Sequence, residues 1–243
     1  MLGCFWAKPL DAIEHGLREK SEGKGQGVRV LVAGAVGNTA RRLVRRLVEN
    51  GHEVRGMVRK EEQLADVEAD GAEPVLVDLE EEEAEGGVGE AVEGCDAIVF
   101  AAGAGPGSGA ERKETMDYGG AVKLIEAAES RSVRRYLMLS AMGAADPGGY
   151  SEQMQPYLSA KARADERLQG SDLNYTIIRP GSLTDEQGTG RIEAAESLGR
   201  HGEITRADVA ETFAAALEEE NTYRKTFEIL AGDTPIVEAV AAL

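Results

Sequence analysis

From Val28 onward the chain alternates short apolar runs with amphipathic stretches. VRVLVAG predicts a first strand, and TARRLVRRLVENG predicts a helix that ends at Gly51. HEVRGMVR reads as a second strand, EEQLADVEADG as a short helix and EPVLVDL as a third strand. A helix near residues 89 to 93 follows, then the strand CDAIVFAAG, the helix MDYGGAVKLIEAAESR and the strand VRRYLMLSA. PYLSAKARADERLQGS predicts a helix, LNYTIIRPG a sixth strand, ADVAETFAAALEEE a helix, KTFEILAG an extended segment and PIVEAVAAL a last helix. Short apolar runs bounded by turn residues suit buried strands. Their regular alternation with helices implies parallel strands joined by right-handed crossovers, an α/β doubly wound sheet. One domain is expected over residues 28 to 243. Residues 1 to 27 form an extension, with a weak apolar face from Phe5 to Leu17 and a linker SEGKGQG. The glycine-rich stretches 103 to 109 and 181 to 202 read as working loops, since function collects on loops held by such a sheet.

Aromatic residues are only 5% of the chain, so the core must be built from Val, Leu, Ile and Ala, as buried parallel strands prefer. The formal net charge of −17 repels phosphate backbones and argues against nucleic-acid binding. The acidic runs at residues 80 to 83 and 218 to 220 read as solvated surface, with a cationic partner as the alternative. Cys4 and Cys95 show neither disulfide nor metal spacing, which points to a reducing cytoplasm. No apolar run approaches the ~18 residues of a membrane span, and MLGCFW is too short for the core of a signal peptide. His15, His52 and His201 are scattered, so neither a metal site nor a Ser–His hydrolase is expected. Monomer and homodimer both stay open, with a small molecule as the expected partner.

The turn GAVGNTA, from Gly34 to Ala40, lies between the first strand and the first helix. A dinucleotide diphosphate needs backbone N–H groups aimed at it. Gly34 and Gly37 let the chain turn and approach closely, Val36, Asn38 and Thr39 bring amides, and the helix N-terminus adds partial positive charge. Ala40 is small enough for the helix to pack near the strand. The alternative is a purely structural tight turn. At the end of the second strand an acidic residue would accept from the ribose 2′-OH of NAD(H). Arg59 and Lys60 stand there instead, which favours NADP(H) over NAD(H) through pairing with a 2′-phosphate, unless both are merely solvated. Asp78 and Leu79 suit the adenine, and the small residues Ala101, Ala102 and Gly103 suit the adenosine ribose. The expected fold is thus Rossmann-type.

With GAVGNTA, MVRK, VDL, FAAG, YLSAK, IIRPG, ITRADVA and FEILAGDTPI in that order, residues 28 to 243 resemble the atypical short-chain dehydrogenase/reductases of the NmrA-like or epimerase/dehydratase-like type. The resemblance implies a parallel sheet of about seven strands carrying NAD(P), with a small, variable substrate cap near the C-terminus. The short stretch after Pro180 makes that cap small and argues against a bulky nucleotide-sugar substrate. It implies catalytic roles for Tyr157 and Lys161. Their i, i+4 spacing puts them about 6 Å apart on one helix face, where an ammonium would lower the phenol pKa. Lys161 would also hold the nicotinamide ribose, and Pro156 would help start the helix.

The third member implied is a hydroxyl after the fifth strand, here Ser140. The family's second serine is replaced by Ala141, and Asp117 stands where related enzymes carry a helix-bending Asn. Pro180 and Gly181 are expected to line the nicotinamide site. The implied activity is hydride transfer on a small carbonyl or hydroxyl compound, by an oxidoreductase or epimerase. A non-catalytic NADP(H)-binding redox sensor or scaffold is the rival.

Overall fold

Val30 to Ala33 of β1 (Arg29–Ala33) are fully buried, and they alternate between two apolar layers. Val30 and Val32 pack with Leu43 and Leu47, whereas Leu31 and Ala33 pack with Leu124 and Ile125. A strand buried on both faces belongs in a parallel sheet covered by helices on each side. The computed structural model describes residues 27–81, 84–105 and 107–243. The predicted apolar face from Phe5 to Leu17 lies outside them.

Seven strands run parallel: β1, β2 (Glu53–Val58), β3 (Glu73–Leu76), β4 (Ala97–Phe100), β5 (Arg135–Leu139), β6 (Asn174–Pro180) and β10 (Lys225–Ala231). They stand in the order β10-β6-β5-β4-β1-β2-β3, so the Rossmann-type, doubly wound expectation holds. The sheet is nine-stranded, larger than expected. β8 (Arg191–Ala195) pairs antiparallel with β10, and the two-residue β11 (Thr234–Pro235) pairs antiparallel with β8. β3, carrying Pro74, and β11, carrying Pro235, are the outermost strands. β7 (Ser182–Thr184) and β9 (Glu203–Thr205) form a separate two-stranded parallel ribbon after β6. Ser182–Thr184 and Arg191–Ala195, within the stretch 181 to 202 read as a working loop, are therefore strand, and the rest of it is irregular.

The helices divide between the faces. α1 (Asn38–Glu49), α6 (Arg206–Glu218) and α7 (Ile236–Ala241) cover the layer of Val30, while α3 (Glu85–Val92), α4 (Ala121–Ser130) and α5 (Gln155–Gln169) cover that of Leu31. A short α2 (Leu64–Ala69) precedes β3. The helix predicted from Met116 begins earlier, with a turn at Ala110–Arg112 and a π-helical stretch over Lys113–Gly120 before α4. Among the described residues, no helix is long and apolar enough to cross a membrane.

Arg135 ties α6 to the sheet from inside. Its guanidinium donates to the carbonyls of Asn174, Ala216 and Leu217 and to the hydroxyls of Thr176 and Thr222. Ala216 and Leu217 belong to the last turn of α6, whose carbonyls have no partner within the helix. Burial pushes the guanidinium pKa down to about 10, which still leaves it charged at neutral pH. Arg135→Met strips the charged donor from all five acceptors; the Ala216 carbonyl and the two threonine hydroxyls keep weaker partners among themselves, and each buried acceptor left bare is costly. Unfolding in urea should reveal a loss of about 3 kcal/mol or more. A loss below about 1 kcal/mol would mean that the freed groups find other partners.

Candidate active site in the switch-point crevice

The chain order reverses at β1. The strands β2 and β3 lie on one side, and β4, β5 and β6 on the other. At such a switch point the loops leaving β1 and β4 part, and a crevice opens at the carboxyl ends of the strands. A cleft of about 1070 Å³ occupies that position, larger than a site for one drug-sized ligand.

The glycine turn forms its floor. Gly34 has φ +78°, which L side chains rarely adopt, and a Cβ there would lie 2.7 Å from Cα of Ala102 in the strand exit opposite. Backbone meets backbone at this spot. Gly37 occupies the cap position of α1 and offers no side chain to the first turn. The amides of Asn38, Thr39 and Ala40 therefore have no intrahelical acceptor, and they line the cleft with Val36. These features fit a diphosphate.

Arg59, at the end of β2, also lines the cleft. Its Nη1 lies 3.4 Å from Oε2 of Glu80, which also accepts from Arg112 at 2.8 Å, while Thr115 Oγ1 donates to Oε1 at 2.7 Å. Burial raises the Glu80 pKa, but the hydrogen bonds from Arg112 and Thr115 outweigh it and hold the carboxyl below its ordinary value. Leu79, Ala101, Ala102 and Gly103 complete this half.

Four other predicted residues are absent from the cleft lining. The Lys60 ammonium sits 3.2 Å from Oε1 of Glu62, on the exposed side of the strand exit. Asp78 accepts the amide of Glu80 at 2.9 Å, a turn-forming contact. Pro180 is buried, and the Gly181 amide donates to the Ile229 carbonyl at 3.1 Å. A Cβ on Gly181 would stand 2.4 Å from the Gly202 carbonyl oxygen, so the close approach this glycine permits is to the chain itself.

Tyr157, Lys161 and Ser140 meet at the other half of the cleft. The Lys161 ammonium is buried, donating to the Leu139 carbonyl at 3.1 Å and lying 3.4 Å from Oδ1 of Asp117. It lies 5.9 Å from the centre of the Tyr157 ring and 5.4 Å from that of Phe100. Lys113 stands 5.2 Å from the centre of the Tyr157 ring. The expected lowering of the phenol pKa is not what results. Burial raises it, the Lys161 charge offsets only part, and the Asp117 and Asp165 carboxylates add to the rise. Tyr157 in this state is neutral at ordinary pH.

Ser140 lines the cleft, but its hydroxyl donates to Oδ2 of Asp165 at 2.8 Å, an oxygen that Arg179 also reaches at 2.9 Å. Asp117 lies within the π-helical stretch, where widened turns often mark functional sites. Its Oδ2 accepts the Ala104 amide at 3.2 Å. Gln63, Arg112, Lys113, Met116, Gln153, Met154 and Arg206 line the cleft as well and escaped the sequence reading. Arg112 and Lys113 were hidden because the helix was expected to begin after them. Arg206, inside the quoted ITRADVA, carried a visible charge at a helix start.

A protein of Bacillus subtilis (strain 168) called an uncharacterized sugar epimerase, YhfK, is 46% identical over 217 residues, covering 89% of this chain and 100% of its own length. A solved structure from Bacillus halodurans, provisionally assigned as an NAD-dependent epimerase/dehydratase, superposes with a TM-score of 0.85 at 42% identity, covering 89% of this chain and 100% of that one. The oxidoreductase ylbE from Lactococcus lactis superposes with a TM-score of 0.76 at 29% identity, covering 88% and 96%. A family model described as NAD(P)H-binding matches residues 34–220. The chain belongs to that NAD(P)H-binding family, beside epimerase/dehydratase-like and oxidoreductase relatives.

Proposed function

We propose that the protein is an NADP(H)-dependent oxidoreductase or epimerase acting on a small carbonyl or hydroxyl compound, with Tyr157 moving the proton. The observation that carries this reading is that the Tyr157–Lys161 pair and the glycine turn line one cleft. A bound nicotinamide supplies or accepts the hydride. The chain's own residues do the rest. In reduction the Tyr157 hydroxyl gives its proton to the substrate oxygen and regains one from solvent, and in oxidation the same oxygen takes the proton back. The Lys161 ammonium, fixed by Leu139 and Asp117, stabilises the phenolate that forms between those events.

The glycine turn and the amides of α1 hold the diphosphate, and Arg59 holds the 2′-phosphate. Arg59→Glu is expected to weaken NADPH at least about tenfold, the worth of a charge-assisted contact, and NADH much less. Titrating nicotinamide fluorescence with both nucleotides measures the difference. Equal losses would refute the preference for NADP(H).

A second reading is a non-catalytic NADP(H)-binding sensor. It is favoured by Ser140, whose hydroxyl proton is engaged by Asp165 and therefore not free to polarise a substrate carbonyl. Tight NADPH binding with no oxidation in the presence of quinones and aldehydes would select it. The same reading puts the protein in the cytoplasm, because Cys4 and Cys95 show neither disulfide nor metal spacing.

A further inference from the structure

On a chain of net charge −17, the cleft is lined by Arg59, Arg112, Lys113, Lys161 and Arg206 against, among the described residues, the single carboxylate of Asp117. Four of these cations have partners in or beside the cleft. Arg59 and Arg112 share Glu80, Lys113 donates to the Gly105 carbonyl at 2.7 Å, and Lys161 faces Asp117. Arg206 has no part in the chemistry above. It is the first residue of α6, and its Nη1 lies 3.0 Å from Oδ2 of Asp185.

The other oxygen of Asp185 lies 3.6 Å from Nη2 of Arg42, and Arg42 Nη1 donates to the Asn38 carbonyl at 2.6 Å. Asp185 thus links Arg206 to the opening turn of α1, whose unpartnered amides face the same cleft.

We propose that Arg206 is a clamp for the cofactor diphosphate and that Asp185 is the carboxylate it exchanges for that ligand. The inference rests on the dinucleotide reading of the cleft. The Asp185 side chain is 61% exposed, while that of Arg206 is 23% exposed. An ion pair with so solvated a carboxylate is weak and easily broken. A diphosphate seated on the α1 amides presents more charge in a drier setting, and a guanidinium meets phosphate oxygens in a fork. Asp185 keeps Arg206 close to the turn until the ligand arrives, and it competes with the ligand for that guanidinium.

A diphosphate clamp is blind to the adenosine 2′ position, which separates its effect from that of Arg59. The full chain is titrated with NADPH and with NADH, following nicotinamide fluorescence, in wild type, Arg206→Gln, Arg206→Lys and Asp185→Asn. Arg206→Gln should weaken both nucleotides equally, by about tenfold. Arg206→Lys should recover part of the loss, and Asp185→Asn should tighten both about two- to fivefold, since a weak competing pair is removed.

The clamp is wrong if Arg206→Gln changes either dissociation constant less than about twofold, or if it affects NADPH alone. It is equally wrong if Asp185→Asn weakens binding, because the carboxylate would then be a support rather than a competitor. Should Arg206→Gln fail to fold, Asp185→Asn still decides. Wild-type protein that binds neither nucleotide would remove the dinucleotide reading itself.

Discussion

Tyr157→Phe is expected to cut turnover about a hundred- to ten-thousandfold on any carbonyl compound that the wild type reduces with NADPH. The substitution removes one oxygen and leaves the ring in contact with the Lys113 and Lys161 charges. The dissociation constant for NADPH should therefore move little while the maximal rate collapses. The pH profile adds a second check. Because burial holds the phenol above its ordinary pKa, it stays protonated through the neutral range. Reduction should be steady there and fall only when the phenol ionises in alkali, whereas oxidation, which needs the phenolate, should rise with pH. A Phe variant that keeps its turnover, or a reduction rate that falls on crossing neutrality, would end the proton-transfer role.

The second large effect is expected at Gly34. An alanine must adopt φ near +78°, which costs roughly 1–2 kcal/mol. Its methyl group must also displace the backbone of Ala102, 2.7 Å away, where overpacking adds about 1–3 kcal/mol. Gly51 separates these two costs. It has φ +90° with nothing within 4 Å of a Cβ, so Gly51→Ala carries the strain without the collision. Urea unfolding should show Gly34→Ala as the more destabilised of the two. Cofactor titration should show it alone losing affinity, because the strand exits that frame the diphosphate are forced apart. If the two alanines behave alike in both measurements, the contact with Ala102 is not what fixes this glycine.

Much of the scaffold was legible because local pattern and tertiary role coincide. The run of Val30 to Ala33 is apolar throughout, as a strand covered on both faces must be, and the glycine turn follows it at once. The antiparallel addition was not legible. RIEAA in β8 is short, polar at alternate positions and held by pairing with β10 rather than by its own composition. The π-helical stretch was hidden for a related reason. Its widened turns carry Asp117 to Lys161 and the Ala104 amide, and the 3.6-residue period that betrays an ordinary helix is weakened there.

In the site, residue type was readable but direction was not. Arg59 and Lys60 are adjacent cations at a strand exit, where successive side chains point to opposite sides, so only one enters the cleft. Ser140 was readable as a hydroxyl in the right region. That its proton goes to Asp165 depends on a residue 25 positions away on α5.

The prolines in the two border strands carry a consequence for self-association. Pro74 in β3 and Pro235 in β11 each lack an amide hydrogen, so neither flank of the described sheet offers an unbroken row of donors to an incoming strand. Continuation of the sheet from one molecule into the next is thereby discouraged at both ends. A homodimer of this protein has to be sought on helix-covered faces, with the crevices of the two copies left open to small molecules.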